Sequence, residues 1–142
     1  MKTARLFVYG TLRKDCREGM HHMLAQQARF VGYARIRGRL YDLGDYPGLV
    51  SATEHRAWVR GEVYELENPS AVLARLDDYE GCGPRDAKPH EFERARREIV
   101  LESAETGLVW IYLYAGSLVG KDEIRSGDYC RRFEESGSEE CQ

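Results

Sequence analysis

A single well-punctuated helix stands among strand-length apolar runs in this chain. Asn68-Pro69 sets a capping residue before a proline at the first helical position, and Gly81 closes the segment. Inside it, Leu73, Leu76 and Glu80 fall at i, i+3 and i+7, so they share one face. The other apolar segments read as strands. Ala4 to Tyr9 is a short run best placed in a buried strand, which breaks at Gly10. Arg29 to Asp42 reads as one extended, bent strand, with Gly32 and Gly38 as bends or bulges. Gly44-Asp45-Tyr46-Pro47-Gly48 is a turn cluster. Ala57 to Leu66 is a further strand. Phe92 to Leu101 and Gly107 to Ala115 pair as a hairpin around the charged turn Glu102 to Thr106. Short helices are expected over Met20 to Gln27 and within Lys121 to Glu135. Mostly strands with a few helices predict an α+β fold, with an antiparallel sheet or small barrel.

The chain has 142 residues, enough for one domain with a substantial core. We expect one domain over residues 1–135 and a disordered acidic tail over 136–142. The formal net charge is −3, and basic residues such as Arg94, Arg96 and Arg97 are interleaved with acidic ones. Without a basic stripe bearing stacking aromatics, nucleic acid is not an expected partner. The longest apolar runs are too short to span a bilayer, so no membrane partner is expected. Met1 to Arg5 lacks the apolar core of a signal peptide. Cys16, Cys82, Cys130 and Cys141 form no C-x-x-C pair, and are expected to be reduced thiols in a cytoplasmic protein. Nothing in the sequence sets the oligomeric state.

Glu80 is the strongest candidate for chemistry. Leu73 and Leu76 face the core, which draws Glu80 inward at the last turn of its helix. Desolvation and the negative end of the helix dipole both raise a carboxyl pKa there. A carboxylate pushed toward neutrality suits general acid–base work. The same pattern also fits a solvated Glu80, or one paired with an arginine. Asp78 should face solvent, and Asp77 reads as a structural hydrogen-bond acceptor. Tyr9-Gly10-Thr11-Leu12 is a strand-to-loop turn whose backbone N–H groups can converge on an anion, although an ordinary turn has the same look. Cys16 and His21 are close enough to raise a Cys–His nucleophile, but a surface thiol is the simpler reading. His55 and His90 are isolated and no ligand spacing occurs, so neither metal nor cofactor is expected. Trp58, Trp110, Tyr112 and Tyr114 alternate like strand residues; most should be core, with one or two lining a pocket.

Phe7-Val8-Tyr9-Gly10-Thr11-Leu12-Arg13 resembles the opening signature of the γ-glutamylcyclotransferase-like superfamily, in particular the short γ-glutamylamine cyclotransferase-like branch. Further landmarks keep the family order: Leu43 to Gly48, Val59-Arg60-Gly61-Glu62-Val63-Tyr64, Leu76 to Gly81, Trp110 to Tyr114 and Ser126-Gly127-Asp128. The resemblance covers about residues 5 to 130. It implies a small mixed or antiparallel β-barrel flanked by short helices. It also implies a pocket at Tyr9, Gly10, Thr11 and Leu12, with Tyr114 among the substrate-binding residues and Glu80 as the catalytic acid/base. The implied partner is a small γ-glutamyl substrate, converted to 5-oxoproline and a free amine without metal. The chain departs from the family where Gly19-Met20-His21-His22 lacks an asparagine and where Phe92 replaces a tyrosine two residues before Arg94. The alternative is a binding or regulatory domain that keeps the pocket without turnover.

Overall fold

A computed structural model describes residues 4–10, 27–52 and 57–129. In chain order the elements are β1 (Ala4–Val8), β2 (Ala28–Asp42), β3 (Pro47–Ser51), β4 (Trp58–Leu66), α1 (Pro69–Glu80), β5 (Phe92–Leu101), β6 (Thr106–Tyr114) and β7 (Asp122–Glu123). The strands run β3-β2-β4-β1-β6-β5, and β5 returns to pair with β2 at Ala34↔Leu101 and Arg35↔Val100. Strands β2, β4, β1, β6 and β5 therefore close a five-stranded barrel, as the α+β barrel expectation required. All pairings are antiparallel except β1 with β6, which are parallel at Leu6↔Trp110.

The fifteen-residue β2 serves several partners because it bends. Its register against β4 shifts between Phe30 and Gly32, a bulge at one of the two expected glycines. The far end, Gly38 to Asp42, leaves β4 and pairs with β3. The expected turn cluster is thus shorter than its sequence suggested, since Pro47 and Gly48 already belong to β3.

Alternation along β1 explains why its sequence is apolar without a break. Phe7 and Tyr9 point into the barrel, among Ile36, Leu40, Leu49, Val59, Val63, Ile99 and Ile111. Leu6 and Val8 point outward, where α1 covers them with Val72, Leu73 and Leu76. A strand buried on both faces reads as a continuous apolar run. The two tryptophans are only partly buried, with Trp110 packed against the cluster under α1. Trp58 and Trp110 lie half-buried on the barrel wall, with guanidinium groups over their rings: Arg35 and Arg37 each 4.5 Å from Trp58, and Arg94 and Arg96 at 4.5 and 5.0 Å from Trp110.

The helix boundaries fall where Pro69 and Gly81 put them, but Asn68 plays a different part from the one expected. It takes a left-handed conformation, φ 52°, with no side-chain cap, and its carbonyl accepts from the N–H groups of Ala71 and Val72. Gly81 ends the helix at φ 76°, with its N–H bonded back to the helix carbonyls. From Lys121 to Asp128 the described chain holds only the two-residue β7, and Tyr129 is 3₁₀-helical; the rest of the stretch in which a short helix was expected, residues 130–135, lies outside the described residues. The expected helix at 20–27, apart from its last residue, and the tail at 136–142 lie outside the described residues.

Candidate active site

A cavity of about 340 Å³ opens at one end of the barrel. Phe7, Val8, Tyr9 and Gly10 bring it to the end of β1, and Asp45, Tyr46 and Pro47 to the β2–β3 turn. Tyr79 and Glu80 close it from the end of α1, Glu91 and Phe92 from the start of β5, and Tyr112 from β6. Five stretches distant in sequence thus share one small space, walled mainly by aromatic rings and holding three carboxylates.

Glu80 is half-buried here, on the inner side of the last turn of α1. Its pKa is raised from 4.5 to about 7, first by burial and then by the negative charge of Glu91. Glu91 itself takes the Tyr46 hydroxyl, which lies 2.8 Å from both carboxylate oxygens. Burial and that carboxylate push the Tyr46 hydroxyl up to about 12, so it stays a donor at neutral pH.

Tyr9 lines the cavity, but its hydroxyl is fully engaged. It donates to the Tyr112 carbonyl at 2.6 Å and accepts from the Leu49 N–H at 3.2 Å. Burial, followed by the charge of Glu80, raises its pKa further. What Tyr9 offers a ligand is the face of its ring. Gly10 needs no special backbone angle; it is absent from the glycines with positive φ. It is required by space, because a Cβ there would sit 2.8 Å from Cγ of Pro47. Thr11 and Leu12 lie outside the described residues, as do Cys16 and His21.

Tyr112, not Tyr114, is the β6 aromatic in the cavity wall. Tyr114 stands behind Phe92, their ring centroids 5.7 Å apart, and gives its hydroxyl to the Ser117 carbonyl at 2.8 Å. Both tyrosines lie on the same face of β6, so alternation alone cannot separate them; depth along the barrel does. Asp77 is the structural acceptor expected. Arg94 binds both its oxygens, at 2.8 and 3.2 Å, and the Tyr112 hydroxyl donates to Oδ1 at 2.6 Å. Cys82 follows the helix directly, and burial, with the nearby carboxylates, raises its thiol to about 11, which leaves it a poor nucleophile at neutral pH. Among the described residues no group of three His, Cys, Asp or Glu side chains is arranged to hold a metal.

Sequence reasoning places Tyr46 only in a turn cluster and a family landmark, with no role, and does not single out Glu91. Glu91 is one charged residue among several in a proline-containing loop, and only the fold brings it opposite Glu80.

The profile of the family described as "Gamma-glutamyl cyclotransferase, AIG2-like" matches residues 6–131. The chain belongs to this gamma-glutamyl cyclotransferase family. The cyclotransferase-family protein ytfP of Citrobacter rodentium is 34% identical over 128 residues, covering 90% of this chain and 96% of that one. The solution structure of ytfP from Escherichia coli superposes with a TM-score of 0.61 at 34% identity, over 91% of this chain and 98% of that one. The crystal structure of YkqA from Bacillus subtilis gives 0.69 at 27% identity, over 95% of this chain but only 43% of the longer YkqA. The cyclotransferase fold thus accounts for the barrel, and the matched segment contains every described residue of the cavity. No helix among the described residues is long and apolar enough to cross a membrane.

Proposed function

We propose that the protein converts a γ-glutamyl amine or amide to 5-oxoproline and the free amine, with Glu80 as the general acid and base. The observation that carries this reading is a carboxyl group of pKa about 7 inside a cavity that faces Gly10. Glu80 takes a proton from the substrate's α-ammonium group. The freed amine attacks the γ-carbonyl of the same molecule, forming the ring C–N bond. As the tetrahedral centre collapses, the bond to the leaving amine breaks, Glu80 returns its proton to that nitrogen, and the second proton shed by the ring nitrogen passes to the freed amine, which departs as an ammonium ion. The near-neutral pKa matches both halves of this exchange.

A tethered nucleophile removes most of the entropic barrier, with effective molarities of roughly 10⁵–10⁸ M for well-oriented intramolecular reactions. One carboxyl group and a few backbone donors are then enough machinery. Backbone N–H groups at positions 10 to 12 are the proposed donors for the substrate carboxylate or the developing oxyanion. Aromatic rings form much of the cavity wall, and the carboxylates of Glu80 and Glu91 suit an ammonium group.

The test is 5-oxoproline release, measured across γ-glutamyl amines, γ-glutamyl amino acids and glutathione. Release from at least one class, lost in Glu80→Gln, is the expected result. Binding of 5-oxoproline with no turnover of any compound would overturn it in favour of a small-acid-binding domain.

A further inference from the structure

Glu80 sits one turn beyond the last buried apolar residue of its helix. The buried residues of α1 are Val72, Leu73 and Leu76, whereas Tyr79 is exposed. Apolar packing therefore does not fix the turn that carries Glu80. A carboxyl group withdrawn from water is drawn back to it on ionising, so the turn needs an anchor. Asp77 occupies that place.

Arg94 on β5 grips both Asp77 oxygens, Nε on Oδ1 and Nη2 on Oδ2, while the Tyr112 hydroxyl on β6 donates to Oδ1. Forked arginine–carboxylate bonds fix orientation as well as distance. The line continues through the backbone of Tyr112, whose carbonyl accepts from Tyr9, and through Tyr9 to the Leu49 N–H. It joins α1 to β5, β6, the end of β1 and β3, the same elements that wall the cavity. Neither Asp77 nor Arg94 lines the cavity itself.

We propose that Asp77 and Arg94 are positioning residues for Glu80. Their two-toothed bond, braced by Tyr112, holds the last turn of α1 so that the Glu80 carboxyl stays in the cavity and out of bulk water. The consequence for catalysis rests on the acid–base reading of Glu80. The positioning itself is a property of the folded protein and is measurable without substrate.

The titratable groups around Glu80 are Tyr9 at the end of β1, Asp45 and Tyr46 in the β2–β3 turn, Tyr79 on α1, Cys82 after it, Glu91 before β5 and Tyr112 on β6. Arg94 is the informative residue because its two possible effects on Glu80 have opposite signs. Acting only through space, removal of its positive charge would raise the Glu80 pKa. Acting through position, its removal lets the carboxyl reach water and lowers that pKa.

The experiment is carbon-13 NMR titration of the side-chain carboxyl of Glu80, assigned by its absence in Glu80→Gln, in wild type, Arg94→Gln and Arg94→Lys. We expect the midpoint to fall by ~1 unit or more in both Arg94 variants as desolvation is relieved. Lysine keeps the charge but not the fork, so Arg94→Lys decides alone if Arg94→Gln does not fold. An unchanged or raised midpoint in a folded variant, even one with a lower melting temperature, would reduce the Asp77–Arg94 pair to ordinary structural support and overturn the proposal. With a turned-over substrate, kcat should drop by ~10- to 10²-fold while KM moves little, the pattern of a misplaced catalytic group. A wild type that releases no 5-oxoproline would sink the acid–base reading, while the titration still decides the positioning.

Discussion

Glu91 and Glu80 face one cavity from separate elements, and the charge of Glu91 is the second cause, after burial, of the raised Glu80 pKa. The pair gives the site a simple sensitivity. Whatever neutralises Glu91 makes Glu80 a stronger acid. Tyr46, bonded to Glu91, is the described group placed to moderate that charge.

This coupling predicts the pH–rate profile. Glu80 must be ionised to accept the first proton, so kcat/KM should rise with pH through about 7, the value to which Glu80 is pushed. In Glu91→Gln the like charge is gone, the Glu80 pKa falls, and the rising limb should move to lower pH. Profiles of the two proteins on one substrate check this. An unmoved limb would mean that another group sets it.

Replacing Glu80 by glutamine keeps the shape and removes the proton shuttle. Turnover should fall by at least ~10², the usual scale of general acid–base assistance.

The same substitution should stabilise the protein in alkali. A carboxyl whose folded pKa lies above its unfolded value favours the folded state fully below the unfolded pKa, 4.5, and loses that favour as pH rises through about 7. Glutamine does not ionise, so Glu80→Gln should melt higher than wild type at pH 8 and nearly level with it at pH 4. The shift from 4.5 to about 7, at ~1.4 kcal/mol per unit, caps the gain at ~3.5 kcal/mol. Thermal melts at the two pH values decide the sign.

Gly10 is predicted to be intolerant for a reason of space. A Cβ at this position meets Pro47 at 2.8 and 3.0 Å, and the proline ring has little freedom to yield. Wild-type protein should gain melting temperature in millimolar 5-oxoproline, since a ligand of the native state alone stabilises it. Gly10→Val should lose that gain, while Glu80→Gln should largely keep it. A folded Gly10→Val protein with the full gain would place the acid-binding site elsewhere.

Activity should persist in a chelator and in Cys82→Ser, as a metal-free mechanism without a thiol requires. Cys82 is held at a pKa of about 11 and is a poor candidate for attack. Loss of turnover in either case, with the fold intact, would demand a different mechanism.

The parts of the molecule that were legible in the sequence are those set by local rules. The helix ends follow from Pro69 and Gly81, β5 begins and ends where the periodicity put it, and the doubly buried β1 follows from Leu6-Phe7-Val8-Tyr9. The inward placement of Glu80 followed from helical spacing alone. Depth along the barrel and cross-element contacts were not legible. Tyr112 and Tyr114 share a face and a residue type, yet only Tyr112 reaches the cavity. Trp58 and Trp110 look like core residues until the arginines stacked on them are seen, because a guanidinium can cover an aromatic face while its charged head stays in water. Asn68 has the composition of a side-chain cap but adopts the left-handed backbone open to asparagine.

The place of β1 between β4 and β6 has a consequence for biosynthesis. Tyr9 reaches its hydrogen-bond partner in Tyr112 across 103 residues. A nascent chain leaves the ribosome from its N-terminus, so β1 waits with one edge unpaired until β6 has been made. No shorter chain can assemble the cavity, whose floor and wall are these two strands. Pairing at such separation is slow compared with local contacts, and the waiting edge is open to other chains. Chains interrupted before residue 106, the start of β6, should therefore be insoluble as well as inactive.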